Sequence, residues 1–367
     1  MDEILSDRPG GLRRGWTTGA CATAAAKAAF AGLRLGVFPD PVEILLPGGR
    51  RVAFALAETG FREGGAEASV VKDAGDDPDV THGALIRVLV QPGAAGSGVV
   101  FRAGAGVGTV TRPGLPVPPG EPAINPVPRA MIRAALAEVA DDSDVVVTIG
   151  VEDGVRLAER TLNGRLGIVG GLSILGTTGV VVPYSCAAWI DSIHRGIDVA
   201  RAMGVSHVAG STGRVSEAAV QALHGLPDVA LLEMGDFAGG MLKYLRRHPV
   251  PRVTVAGGIG KMAKLGQGRL DLHSKRGAVD MAALAAWTPA GLDGRIAACA
   301  SVAEALLAAR EAGFDLGGRI AAAAWETAAA VLAPGGELEI VVFDRTGLLV
   351  GQAGFAPVHG AARKRRS

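Results

Sequence analysis

Five apolar runs in the middle of the chain each lead straight into glycine: VVVTIG at 145, LGIVGG at 166, SHVAGS at 206, VALLEMG at 229 and RVTVAGG at 252. Runs without polar alternation suit strands buried on both faces of a parallel sheet. The stretches 186–203, 216–224 and 239–247 between them read as amphipathic helices. In the first, Cys186, Ile190, Ile193, Ile197 and Ala200 share one stripe, which predicts a core position for the Cys186 thiol. Strand, glycine loop and helix in regular alternation predict a doubly wound α/β sheet, which binds its ligands beyond the carboxyl ends of its strands.

The earlier residues follow another pattern. An Ala-rich helix from 20 to about 33 precedes strand-like VEILL at 42, VAFALAE at 52, ASVVK at 68, IRVLV at 86 and GTVT at 108, with Pro-Gly turns between them. This predicts an α+β unit. The Pro-rich stretch 113–128 reads as an extended connection into a helix over 129–140. Past 276 come helical stretches at 278–287, 300–312 and 319–332, then a hairpin over 337–352 that turns at 344–347. The expected division is therefore 1–143 (α+β), 144–275 (parallel sheet) and 276–367 (helices, hairpin and a solvated, disordered basic tail, ARKRRS). The packing of the last segment is not readable from the sequence.

Charge and composition narrow the function. Lys+Arg 37 against Asp+Glu 36 leaves a net charge of +1, so no long-range field steers the protein to nucleic acid or an anionic membrane. Nine Phe, four Trp and two Tyr are too few for the stacking platforms of a single-strand binder. The uncharged stretch 166–190 is long enough to span a bilayer, but its glycines and Pro183 point to a buried strand and loop. Cys21, Cys186 and Cys299 lie far apart, which fits neither a disulfide framework nor a metal knuckle and suits a reducing cytoplasm. No metal site is expected. The N-terminus has no apolar signal core.

The motifs that can carry chemistry are loops. GGLSILGTTG (170–179), GSTG (210–213), GDFAGG (235–240) and GGIGKMAK (257–264) offer backbone N–H groups to an anionic ligand. None spells a triphosphate loop: Thr177 stands where the lysine of the 171–178 match belongs, and Val255 and Met262 break the match around Lys261. GAGVG at 104–108 leads into TVTRPG rather than a helix, so it is no dinucleotide fingerprint. Thr17 and Thr18, just before the Ala-rich helix and with Lys27 two turns on, form either an anion pocket or an ordinary cap. VKDAGDDPDVTHG (70–83) crowds Asp73, Asp76, Asp77 and Asp79 beside Lys72 and His82, either for acid/base work or as a solvated turn. Arginine outnumbers lysine 30 to 7, so Lys261, Lys264 and Lys275 close together, with Asp271 and His273, suggest a ligand-facing loop.

RRGWTTGACA, VKDAGDDPDVTHG, GVGTVTRPGL, PAINPVPR, TLNGRLGIVGGLSILGTTG and GKMAKLGQGRLDLHS, in order over about 13–275, resemble the CbiD family, the cobalt-precorrin-5B C1-methyltransferases of anaerobic cobalamin biosynthesis. Trp16 and Ala20 depart a little from the family's glycine–threonine motif. The resemblance implies methyl transfer from S-adenosylmethionine to C1 of a cobalt corrinoid, giving cobalt-precorrin-6A. It also implies a ribosomal-protein-S5-like α+β domain joined to a Rossmann-like sheet.

On that reading the donor is expected at Gly171, Gly176, Thr177, Thr178, Gly179, Gly210, Gly235, Asp236, Gly258 and Gly260, with Thr178 and Asp236 essential to its binding. Thr17, Thr18, Lys27, Arg112, Arg129, Lys261 and Lys264 are expected to take the carboxylates of the acceptor, and Asp73, Asp76 or His273 to move a proton. A homo-oligomer and transient contact with neighbouring pathway enzymes fit the same picture. A nucleotide- or NAD-using enzyme and a non-catalytic corrinoid carrier are the competing readings.

Overall fold

A computed structural model describes residues 11–62, 64–274 and 277–359. The chain forms two compact units, divided between Cys186 and Ala187.

The first unit contains β1 (Gly15–Trp16), α1 (Thr18–Leu35), β2 (Val42–Leu45), β3 (Arg51–Phe54), β4 (Glu58–Arg62), β5 (Gly65–Val71), β6 (Leu85–Pro92), β7 (Val99–Ala103), β8 (Thr109–Val110) and α2 (Pro126–Ala137). It continues with β9 (Val145–Val151), α3 (Gly154–Ala158), α4 (Asn163–Leu166), β10 (Ile168–Val169) and β11 (Val180–Val181). Its main sheet has the order β4-β5-β6-β9-β7, antiparallel except for the β9–β7 pair. Alanine makes α1 both a strong helix and a thin one. With Ala24, Ala25, Ala28 and Ala29 fully buried, it packs closely on β5, β6 and α2. Thr17 caps its start, and Gly36 in the left-handed region (φ 74) ends it.

The second unit begins within α5 (Cys186–Ala202) and contains β12 (His207–Ser211), α6 (Arg214–His224), β13 (Leu231–Glu233), α7 (Ala238–Arg247), β14 (Arg252–Gly258) and α8 (Ile259–Gly266). It closes with α9 (Met281–Ala285), α10 (Asp293–Ala297), α11 (Val302–Glu311), α12 (Leu316–Ala329), β15 (Glu337–Phe343) and β16 (Leu349–Pro357). The sheet runs β13-β12-β14-β15-β16, parallel but for the antiparallel β16. Val208, Val253, Val255 and Ile340 on one face pack with α5, α7, α8 and the later helices, and Ala209, Ala256 and Val341 on the other pack with Val220 of α6. The chain therefore leaves β12 over one face and returns from β13 over the other, so the topology switches between β12 and β14.

The mixed α/β class and the parallel sheet agree with the sequence reading, while the division does not fall at 143 and 275. Although VVVTIG reads as buried on both faces, it alternates in the fold: Val145, Val147, Ile149 and Val151 point into the core while Val146, Thr148 and Gly150 are half-buried. It is a central strand of the first, mostly antiparallel sheet. The 166 run gives only the two-residue β10, paired with β8. Among its described residues the final segment has no separate core. Its helices join the core on one face of the second sheet, and its hairpin extends that sheet beside β14. The helix expected from 129 opens earlier, because Pro126 sits in its first turn, where no N–H is needed. Cys186 is exposed, since the buried stripe of α5 begins at Ile193. The ARKRRS tail lies outside the described residues. No helix among the described residues is long and apolar enough to cross a membrane.

Candidate functional site

At the topological switch, β12 runs into Ser211, Thr212 and Gly213, and β14 into Gly257 and Gly258. α6 and α8 start there, with Gly213 and Gly258 as N-caps and no side-chain cap bond in either case. Two helix starts with uncapped N–H groups provide donors and partial positive charge for an anion. Among the described residues, nothing beyond the chain neighbours lies within 4 Å of where a Cβ would stand at Gly213, Gly258 or Gly260. The backbone is thus bare where a ligand would approach.

Side chains tie the loops of this edge together. Lys261, in the first turn of α8, donates through Nζ to the Thr212 carbonyl (2.9 Å) and lies 3.1 Å from Asp236 Oδ1. Thr212 N donates to the Ala256 carbonyl (3.0 Å), and the N–H groups of Met234 and Gly235 both reach the Ser211 carbonyl (3.1 Å each). The Asp236 carbonyl accepts from Leu272 N (2.9 Å), while the buried Lys264 donates to the Leu272 carbonyl (3.0 Å). Lys261 and Lys264 are therefore framework ties of the strand ends. Trp189 of α5 donates from Nε1 to the Glu233 carbonyl (3.1 Å), and its ring borders Gly235. Although tryptophan is usually covered, Trp189 is 44% exposed.

Of the glycines expected to bind the donor, Gly258 and Gly260 are open, and Gly235 (φ 55) makes the turn after β13. Gly210 serves packing instead: a Cβ there would stand 2.5 Å from Met241 Cε and 3.2 Å from Met234 Sδ. His273 is exposed in the loop after α8, its N–H bonded to Asp271 Oδ1 (3.1 Å).

Gly171, Gly176, Thr177, Thr178 and Gly179 belong to the first unit and follow no strand of the parallel sheet. Gly171 packs against the backbone of Gly106 and Val107, Gly176 against Thr17, and Gly179 against Leu46. Thr178 turns back on its own loop, its Oγ1 donating to the Val180 carbonyl (3.1 Å). Thr17 Oγ1 caps Ala20 N (3.2 Å), and Thr18 Oγ1 bonds both N and O of Leu175 (3.1 Å each). The start of α1 is thus closed by protein groups, as ordinary capping requires.

Charged candidates in this unit are engaged as well. Lys27 Nζ donates to Glu138 (2.7 Å) and to the Glu43 carbonyl (2.7 Å); Arg112 Nη1 donates to the Arg165 carbonyl (2.6 Å); and Arg129 is held by Glu121 and the carbonyls of Ile124 and Pro122. Asp73 pairs with Arg13, whose hydrogen bond holds the carboxyl below its ordinary value, and Asp76 accepts from Arg13 N (2.6 Å). Burial works to raise the Asp79 carboxyl, but the charge and hydrogen bond of buried Lys72 (2.6 Å) together with the hydrogen bonds from Thr81 leave it lowered. The acidic loop is a scaffold around 13–15, and its Asp73 and Asp79 carboxylates favour the ionised form over proton storage.

Two features escaped the sequence reading. One is Trp189, whose exposure next to a glycine only the fold reveals. The other is a buried polar chain on the α6 side: the Glu339 carboxylate, 1% exposed, meets Thr254 Oγ1 (2.8 Å), His224 Nε2 (2.7 Å) and Gln352 Nε2 (2.8 Å), and His207 Nε2 lies 2.8 Å from Thr254 Oγ1. Burial, followed by the neighbouring His224, lowers the His207 imidazole. These residues sit in separate apolar runs, so sequence spacing does not connect them.

Two family models match the chain: CbiD over residues 5–183 and the CbiD C-terminal domain over 271–354. A cobalt-precorrin-5B C(1)-methyltransferase from Agrobacterium fabrum is 60% identical over 358 residues, which is 96% of this chain and 95% of that protein. Proteins of the same name from Halorhodospira halophila (60% over 357 residues; 94% and 95%) and Bradyrhizobium sp. (60% over 365 residues; 97% and 97%) are equally similar. The crystal structure of a cobalamin biosynthesis protein (cbiD) from Archaeoglobus fulgidus is 28% identical, with 68% of this chain and 77% of that chain covered and a TM-score of 0.39.

Proposed function

The chain belongs to the CbiD family, and from that premise we infer that it is a cobalt-precorrin-5B C(1)-methyltransferase of cobalamin biosynthesis. Its methyl donor, on this reading, is S-adenosylmethionine, held at the carboxyl edge of the second sheet between β12 and β14. The second unit is then the Rossmann-like donor domain, and the first the ribosomal-protein-S5-like unit. The acceptor is a carboxylate-rich cobalt corrinoid, taken up in the cytoplasm from neighbouring enzymes of the sequence.

The observation that carries the donor site is the pair of helix starts at Gly213 and Gly258, without a side-chain cap and, among the described residues, with open space where a Cβ would stand. Their N–H groups suit the amino-acid carboxylate of the donor. The donor supplies a methyl carbon on a positively charged sulfur, open to in-line displacement by an electron-rich ring carbon. What the chain contributes is position: strand ends cross-tied by Lys261, Thr212 and the Met234–Ser211 bonds hold a ligand in one place. Alignment of two reactants can be worth about 7 to 11 kcal/mol, more than the ~3 to 5 kcal/mol of a general base. Asp73 and Asp76, paired with Arg13, are not needed for such a step.

The test is to incubate the protein with methyl-labelled S-adenosylmethionine and the precursor pigment, then follow the pigment by mass spectrometry. Gain of one labelled methyl group is expected. Pigment binding without mass gain would make the protein a carrier and overturn the reading.

A further inference from the structure

We propose that Asp236 and Trp189 together recognise the nucleoside end of the methyl donor, the carboxylate taking the ribose hydroxyls and the indole face the adenine, with Lys261 as the residue that aims the carboxylate. The proposal rests on the donor reading above and adds to it the groups that select an adenosine.

Three observations converge on the loop after β13. The first is topological. In an open α/β sheet with a glycine turn after its first strand, an acidic residue just beyond the next strand, roughly 20 residues on, faces the ribose of a bound nucleotide. Here the turn glycine is Gly213 after β12, and Asp236 lies 236 − 213 = 23 residues later, just past β13. Nothing about that spacing requires a dinucleotide; it requires only a ribose at the switch point.

The second concerns an unsatisfied atom. Asp236 Oδ1 is shut off from solvent, and among the described residues no hydrogen bond satisfies it. Lys261 Nζ stands 3.1 Å away and neutralises the charge as an ion pair without hydrogen-bond alignment, while it donates to the Thr212 carbonyl. A buried carboxylate oxygen without a donor is costly, and a ligand hydroxyl would supply what is missing. By bridging Thr212 to Asp236, Lys261 holds the carboxylate beside the loop that follows β12, where the ligand is expected. Its role is positioning, not contact with the reacting atoms.

The third is Trp189. Its indole N–H is fixed to the Glu233 carbonyl, so the ring is oriented by the strand end itself. Ring atoms Cζ2 and Cε2 lie 3.4 and 3.5 Å from where a Cβ on Gly235 would stand, and Gly235 is the residue before Asp236. A tryptophan that is 44% exposed, held by its N–H and flanked by Phe237 (ring centroids 6.4 Å apart), beside a ribose-binding carboxylate matches an adenine, and base–aromatic stacking is worth about 1 to 3 kcal/mol.

The experiment is calorimetric titration of the intact protein with S-adenosylhomocysteine and with its 2′-deoxy and 3′-deoxy counterparts, alongside Trp fluorescence. The wild type is expected to prefer the ribose form over at least one deoxy form by about tenfold or more, as for a hydrogen bond to a charged group. Asp236→Asn should shrink that gap to under threefold. Trp189→Leu should weaken all three ligands by about tenfold, leave the gap in place and remove most of the ligand-induced fluorescence change. Lys261→Met should narrow the gap, and Lys261→Arg should restore it in part. Circular dichroism melting identifies any variant that merely unfolds, and Trp189→Phe stands in for a Trp189→Leu that does. Binding by the wild type with no ribose preference, or with a preference untouched by Asp236→Asn, overturns this proposal alone. No binding of S-adenosylhomocysteine by the wild type overturns the donor reading and this proposal with it.

Discussion

Valine at Gly258 and valine at Gly210 separate a ligand-facing glycine from a packing glycine in one strand-end region. Gly258 has φ −69 and ψ 148, an extended conformation that valine adopts readily, and among the described residues no atom beyond the chain neighbours lies within 4 Å of the position a Cβ would take. Gly258→Val should therefore change folding stability by no more than about 1 kcal/mol, mainly through a poorer cap for α8. The new methyl groups fill the space above the first turn of α8, so affinity for S-adenosylhomocysteine should fall at least tenfold, about 1.4 kcal/mol. Gly210→Val meets the opposite situation. Its Cβ would stand 2.5 Å from Met241 Cε and 3.2 Å from Met234 Sδ, inside a core face where both methionines are fully buried. Overpacking of this kind typically costs about 1 to 3 kcal/mol, or on the order of 2 to 4 °C in Tm per kcal/mol for a unit of this size. Urea denaturation and calorimetric titration of both variants check the pair. If Gly258→Val binds the ligand as the wild type does, the bare helix start is not the donor's seat; if Gly210→Val is as stable as the wild type, the packing argument fails.

Three further outcomes are expected. Because the His207 imidazole is lowered from 6.5 in the fold, the unfolded chain binds more protons between the two values, so stability is full above about pH 6.5 and falls as pH drops through the folded value; His207→Gln should flatten that part of a stability–pH profile. Burial pushes the Cys21 thiol up to about 12, whereas Cys186 is exposed, so a thiol reagent applied to the native protein should label Cys186 and spare Cys21, as peptide mapping would show. Asp79→Asn leaves Lys72, 1% exposed, with an uncompensated charge and should cost about 3 to 5 kcal/mol in denaturant unfolding, while Lys72→Met with Asp79→Asn should recover much of it.

The second sheet was legible because its strands announce themselves. SHVAGS, VALLEMG and RVTVAGG are short apolar runs that stop at glycine, and each became a parallel strand ending where a ligand can approach. The same rule misplaced VVVTIG, whose outward Val146 and Thr148 hide an alternating pattern behind β-branched residues that suit either kind of sheet. Strands β4 and β7 went unread for a related reason: ETGFR and VVFRA carry little buried surface, so hydrophobic periodicity leaves no mark. The glycine loop 170–179 shows the limit of composition. Gly106, Thr17 and Leu46 press against Gly171, Gly176 and Gly179, a demand set by distant residues that composition does not reveal. Likewise the ion pairs of Lys27 and Arg129 join residues far apart in sequence or hold a turn, and charge spacing along the chain does not distinguish such a partner from a substrate carboxylate.

The site of the methyl donor is settled most directly by crystallography. Crystals grown with S-adenosylhomocysteine should show its amino-acid carboxylate at the first turns of α6 and α8, over Gly213 and Gly258, with the ribose toward Asp236. Density for the ligand at the 170–179 loop of the first unit, or a saturating soak with the β12–β14 edge still empty, would contradict it.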